Sequence, residues 1–242
     1  MKEWMASHGY VSETDDALCL TLKGEAYLTF LDRCGRAIAT IERFNTFFES
    51  HAIENIPGFA IQRIGDLMNA GLVVDTPVNA EQKFDYFLKI IGEAQHLHGV
   101  STFSLPFIAE AIWERVTAGA GVELVITPEL AVPLLQEEFF STGRNTAAFP
   151  NFKLFVSTVP IAVGLTVTDR ALSLGLFLAD GTYDTVQDLV SRAPEATRWG
   201  ERLFQYYREH SVPIEDFFQN PGVPTESARS GSNTGPAPRG SA

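Results

Sequence analysis

His96 and His98 are the residues whose spacing first suggests chemistry. Two apart in an extended segment, they share one face, as a pair of metal ligands must. No third ligand stands beside them, and two imidazoles at a helix-to-strand junction explain the pair without a metal, so no metal site is expected. Nucleophilic attack on a phosphodiester would need His-x-Lys with a downstream Asp. His96 is followed at plus two by His98, His98 by Val100, and no other histidine has a lysine at that spacing. The carboxylate pairs Asp15-Asp16 and Glu137-Glu138 fall on a polar turn and on a helix whose adjacent residues diverge. GxSxG, Walker and GxGxxG patterns are missing. The residues thus predict no catalytic group, no cofactor and no enzyme.

A binding site is better supported than a catalytic one. Ser101, Thr102 and Ser104 lead into an apolar helical stripe that starts at Phe107, and Thr127-Pro128 opens another helix. Hydroxyls and free amides at a helix N-terminus suit an anion. Ser101, Thr102, Phe103, Ser104 and Thr127 are therefore the candidate ligand site, for a small acidic effector. The competing reading is simple N-capping, with Ser104 as the cap.

The elements that must position these residues follow from periodicity. Trp4 and Met5 sit on a short helix ended by Gly9; Tyr10-Val11 and Ala17 to Leu22 form a hairpin about the Asp15-Asp16 turn. Thr21 caps a long helix whose stripe is Tyr27, Leu28, Leu31, Ile38, Ile41, Phe44 and Phe48. A second helical unit spans Ile61 to Met68, Leu72 to Val74 is extended, and Asn79 with Gln82 is a capping box for a helix through Ile91. From residue 97 the pattern alternates. Strands are expected at 97–103, 122–126, 153–156, 161–167 and 171–178. Helices are expected at 107–116, from 127, at 185–190 and at 194–210. Trp199, Leu203, Tyr206 and Tyr207 form the packing stripe of the last helix.

The chain has 242 residues, 45% hydrophobic and 20% charged, an ordinary globular mix. No uncharged apolar run is long enough to span a membrane, and the first residues do not read as a signal peptide; a cytoplasmic location with no membrane partner is expected. Eighteen basic against 30 acidic residues give a net charge of −12, which excludes whole-surface binding to nucleic acid. Cys19 and Cys34 read as reduced core residues. Asn220 to Ala242 is composed almost entirely of small and turn-forming residues.

Four segments together resemble archaeal winged helix-turn-helix transcriptional regulators of the FilR type: GYVSETDDALCLTLKGEAYL, HGVSTFSLPFIAEAIWERVTAGAGVELVIT, LTVTDRALSLGLFLADGTYD and PEATRWGERLFQYYREHS. They lie in the family's order and spacing across most of residues 9 to 211. The resemblance implies a DNA-binding regulator, not an enzyme, with an α/β regulatory domain behind a winged helix. A winged helix takes about 70 to 80 residues, with its third helix in the major groove, and only eight residues precede Gly9. Residues 1–30 are therefore expected to hold the end of a recognition helix and the wing, with Lys2, Tyr10 and Lys23 as remaining DNA contacts. Residues 31–95 are expected to be a helical connector and dimerisation element, 96–212 the regulatory domain and 213–242 a disordered tail. The expected class is α/β (α+β): a winged-helix hairpin, a helical connector, then β-α-β-α-β-β-β-α-α. DNA binding by this chain is expected to be weak or lost, and a homodimer to form. The rival functions are a phosphodiesterase or hydrolase on the same scaffold, or an interaction module without a ligand.

Overall fold

In the computed structural model the described residues are 1–14, 17–76, 82–136 and 149–219. The class is mixed α/β. Strands β1 (Val11–Glu13) and β2 (Leu18–Leu20) pair antiparallel, Val11 opposite Leu20, between a short helix Lys2–Ser7 and a long helix Leu22–Arg43. Gly9, at φ 71°, turns the chain out of the first helix, a conformation glycine takes without steric cost. Thr21 caps the long helix as expected, its Oγ1 accepting from the Gly24 N–H at 3.1 Å.

The rest is built on an eight-stranded sheet. Its strands are β3 (Gly71–Val74), β4 (His96–Ser101), β5 (Gly121–Ile126), β6 (Phe152–Ser157), β7 (Val163–Thr168), β8 (Leu172–Leu176), β9 (Gln187–Ser191) and β10 (Ser211–Pro213), in the order β10-β6-β5-β4-β7-β8-β9-β3. β4, β5 and β6 are parallel; every other pairing is antiparallel. The parallel half is apolar on both faces because helices cover both. Leu97, Val122, Ile126, Leu154 and Val156 belong to one core, together with residues of the helices Gln82–Gly92, Pro106–Thr117 and Pro128–Gln136. Val100, Val125 and Phe155 face the other core, under the helix Pro194–Glu209. There Trp199, Leu203, Phe204 and Tyr207 are buried, and Trp199 Nε1 donates to the Ala60 carbonyl at 2.9 Å.

Several expectations need correction. Thr185 to Val190 is not a helix: Leu189 and Val190 lie in β9, paired with β8 and β3, because alternate residues of this segment face the two cores. The stretch from Phe44 onward is not a separate connector. Phe44, Phe47, Phe48, Ile64 and Leu67 share one core with the sheet, and β3 is its edge strand. Ile61 to Met68 forms short turns of helix, Gly58–Ile61 and Ile64–Leu67, in place of one regular helix. The tail does not begin at 213: β10 pairs with β6, and a helix Ile214–Gln219 follows because Ile214 is buried. Ser104 is not the cap of the Pro106–Thr117 helix; Leu105 holds that position, without a side-chain bond. Cys19 is free and exposed and Cys34 free and half-buried, so neither is a core residue. The Asn79 half of the expected capping box, the Asp15-Asp16 turn, Glu137-Glu138 and residues 220–242 lie outside the described residues.

Candidate functional site

On the face of the sheet that carries the Gln82–Gly92 and Pro106–Thr117 helices, the two halves of the sheet differ. The parallel half presents Leu97, Leu124, Ile126 and Leu154. The antiparallel half presents Gly164 and Thr166 from β7, Ser173 and Gly175 from β8 and Asp188 from β9. These are small or polar, so the helices cannot close down on the sheet there. A cavity of about 110 Å³ results, room for several water molecules. Trp113, Ile112 and Phe87 line its apolar part, and Lys83, Tyr183 and Asp188 its polar end.

The polar end is a buried network. Lys83, from the first turn of the Gln82–Gly92 helix, places Nζ 2.9 Å from Asp188 Oδ1 and donates to the Asp184 carbonyl at 2.9 Å. Its backbone N–H donates to Asp75 at 2.7 Å, which holds the start of the helix against the end of β3. Ser173 Oγ donates to the other Asp188 oxygen at 2.9 Å. The Lys83 ammonium also stands 5.0 Å from the centre of the Tyr183 ring, in cation–π range. Tyr183 lies across Gly164 and Gly175, which face each other on β7 and β8. A Cβ at Gly175 would fall 1.9 Å from the phenol oxygen, and one at Gly164 would fall 2.3 Å from it. Both glycines are required by that close approach. Behind the network, His51 Nε2 is 3.1 Å from Asp184 Oδ2, with both side chains buried.

Electrostatics separate the two aspartates. Burial pushes the Asp188 carboxyl up, and the opposing pull of Lys83 and Ser173 does not cancel it. Burial also raises Asp184, but hydrogen bonds from the Val186 N–H and Gln187, with His51 beside it, outweigh that and leave it low. Tyr183 is held well above the usual phenol range by burial and by the two carboxylates. The two aspartates therefore act on stability with opposite sign. A lowered acid stabilises the fold above its unfolded pKa of about 3.9, and this is lost as pH falls through the folded value. A raised acid stabilises below that pKa, and this is lost as pH rises through the folded value. Urea midpoints measured between about pH 3 and 7 should lose their rise with pH on Asp184→Asn and lose an opposing fall on Asp188→Asn. The same slope change from both variants would contradict this assignment.

Of the residues expected to bind a ligand, Ser101, Phe103 and Ser104 line the cavity. Ser101 Oγ also donates to the Phe103 carbonyl at 2.7 Å in a local turn, and the Phe103 ring lies 4.8 Å from that of Tyr183. Thr102 and Thr127 are outside the lining; Thr127 Oγ1 accepts from the Leu130 N–H at 3.4 Å, as a helix cap. Lys83, Tyr183, Ser173 and Asp188 were not foreseen. Their signal was the alternation in Leu172-Ser173-Leu174-Gly175-Leu176, where every second position is too small to fill a core. Of the expected DNA contacts, Tyr10 and Lys23 are adjacent, with the Lys23 ammonium 4.5 Å from the ring centre and donating to the His8 carbonyl at 2.7 Å. Lys2 is paired with Glu13. His98 bonds Glu201 at 2.8 Å and stacks on Phe204, while His96 is exposed. Among the described residues no group of three or more ligating side chains could hold a metal, and no helix is long and apolar enough to cross a membrane.

Residues 80–210 match a family model described as the methanogenesis regulatory protein FilR1, middle domain. The FilR1 protein of Methanothrix harundinacea (strain 6Ac) is 23% identical over 220 residues, covering 86% of this chain and 49% of that protein. The chain thus spans about half the length of this curated relative. Among solved structures, the archaeal chromatin protein TrmBL2 superposes with a TM-score of 0.47 at 12% identity, over 87% of this chain and 79% of that one. Nuc of Salmonella typhimurium, a phospholipase D family member, gives 0.44 at 14% identity, over 60% and 97%.

Proposed function

This chain belongs to the family defined by the FilR1 middle domain, and from that premise we propose that it is a transcriptional regulator whose α/β domain binds an effector. One observation carries the effector reading. Every residue that lines the cavity, from Lys83 to Asp188, falls inside the segment matched to the family, 80–210. The hairpin and the whole of the long helix lie before it. We assign residues 1–30 to the DNA-proximal wing and the later sheet domain to sensing, with no catalytic role. The long helix between them pairs two copies of the chain, and an effector that favours one arrangement of the pair shifts DNA affinity by its differential affinity for the two states.

Support for an effector over an interaction module without a ligand comes from the same cavity. A purely structural core would fill that space, since voids lose packing contacts. Thermal-shift measurements with a metabolite panel test the reading. A ligand at about 100 times its Kd should add about 2.7 kcal/mol to stability, and a panel that moves nothing, including the series below, would remove the effector from the scheme.

DNA binding by this chain should be weak. Lys2 and Lys23 are engaged within the protein, and the net charge of −12 opposes approach to phosphate. Fluorescence anisotropy with duplex DNA near physiological salt should give a Kd weaker than about 1 μM, in the range of non-specific binding. Tighter, sequence-specific binding would show that a surface other than Lys2, Tyr10 and Lys23 reads DNA.

A further inference from the structure

We propose that the cavity takes an uncharged amphipathic molecule: an apolar chain or ring along the parallel half of the sheet, ending in one amide, hydroxyl or carbonyl head at Lys83, Tyr183 and Asp188. The inference rests on the effector reading above and adds the chemistry of the ligand.

The division of the cavity sets the shape. Its apolar part, walled by Ile112, Leu124, Leu130 and the ring of Trp113, offers few groups for a polar ligand to bond, so a hydrophilic ligand such as a sugar would leave hydroxyls without partners. The charged groups, Lys83 and Asp188, with Tyr183 lie at one end, on the side of the antiparallel strands, and Ser101 already spends its hydroxyl on the Phe103 carbonyl. A molecule that satisfies both parts is apolar over most of its length and polar at one end.

Charge at the head follows from the ion pair. Lys83 Nζ is already 2.9 Å from Asp188 Oδ1 and bonded to the Asp184 carbonyl, and both side chains are buried. An acidic head, the class expected from the helix N-termini, would put two carboxylates on one buried ammonium. A cationic head would put two ammonium groups on one carboxylate. Either leaves a buried charge short of a partner, the costly arrangement in a protein interior. An amide both donates and accepts. It can accept from the Tyr183 hydroxyl or Lys83 and donate to Asp188 while the pair stays intact.

The test is a series with one tail and three heads. Hexanamide, hexanoate and hexylammonium are titrated against the full chain by calorimetry and thermal shift. Hexanamide should bind at least about tenfold more tightly than either ion, the equivalent of one hydrogen bond of about 1.4 kcal/mol. At 100 times its Kd it should raise the midpoint by about 5–10 °C. Tyr183→Phe, which removes only the hydroxyl, should weaken hexanamide about tenfold. Ala109, on the Pro106–Thr117 helix, also lines the cavity, and Ala109→Leu, which fills space there, should abolish its binding. If an ion binds as tightly as the amide and Ala109→Leu abolishes that binding, the neutral class is overturned while the cavity stands as an effector site. If no member binds, or binding survives both substitutions, the ligand class and the effector cavity fall together.

Discussion

Replacing Lys83 with alanine should cost about 3–5 kcal/mol of folding stability near neutral pH, the largest loss expected from a single charged residue here. Removing the ammonium leaves Asp188 buried 2.9 Å from an empty position, with Ser173 still donating to one oxygen but no cation beside the other. The loss should shrink as pH is lowered. Burial already holds the Asp188 carboxyl above its usual range, and without Lys83 it rises further, so the variant escapes the buried charge by taking a proton. Each unit of added shift corresponds to about 1.36 kcal/mol. Urea unfolding, followed through the buried Trp199, measures this directly. The double variant Lys83→Met with Asp188→Leu is the informative partner. Apolar replacements of a buried pair are commonly neutral or stabilising. A double variant as stable as the parent, yet blind to hexanamide, would show that the pair is kept for binding. A Lys83→Ala loss under about 1 kcal/mol, the size of an exposed pair, would mean that the ammonium is not desolvated in solution.

The parallel half of the sheet was legible because its signals are local. There Val122 to Ile126 is apolar except for Glu123, and Thr127-Pro128 announces a helix; in the antiparallel half the Thr168-Asp169-Arg170 turn joining β7 to β8 is as local, and each needs only its neighbours to be read. The cavity was half legible. Ser101, Phe103 and Ser104 follow from the rule that ligands collect beyond strand ends, and they do line it. Its polar end was not. Lys83 lies in the first turn of its helix and reads as a surface charge until Asp188, 105 positions later, is brought beside it by β9. The helix expected at Thr185 to Val190 fails for a related reason: six residues cannot separate a short helix from a strand, and pairing of Gln187–Ser191 with β3 and β8 decides it. The limit of the connector was misplaced because Phe44 and Phe48 extend the periodicity of the long helix. The chain in fact leaves that helix at Phe44, with the Asn45–Ser50 helix turning into the core beneath the sheet. Further along, Gly65 lets the Ile64–Leu67 turn pack directly on the long helix: a Cβ there would fall 2.8 Å from the Ala37 nitrogen.

Ile38→Asp should convert a dimer of this chain to a monomer without unfolding it. The long helix uses one face to seat Ala37 and Thr40 against the Ile64–Leu67 turn. Along another face Leu28, Leu31, Ile38 and Ile41 are 53%, 61%, 62% and 46% exposed. The apolar surface continues past Tyr27 to Leu20 and Trp4, where a groove opens between the first helix and the hairpin. A contiguous apolar stripe of this length on one copy marks an interaction surface. A two-fold pairing of the helix with its counterpart buries the stripe on both copies at once. The symmetry also doubles the effect of a substitution. A buried interface residue is worth about 2 kcal/mol, so an aspartate at position 38 in both copies should cost about 4 kcal/mol and raise the dimer Kd near a thousandfold. Sedimentation or light scattering at tens of micromolar should then report the dimer mass for the parent and the monomer mass for the variant, with unchanged melting of the sheet domain. Position 38 is remote from the cavity, so hexanamide affinity of the variant should be the same as the parent's. A parent that is monomeric at that concentration would refute pairing through this helix, and with it the route by which an effector in the cavity reaches two wings.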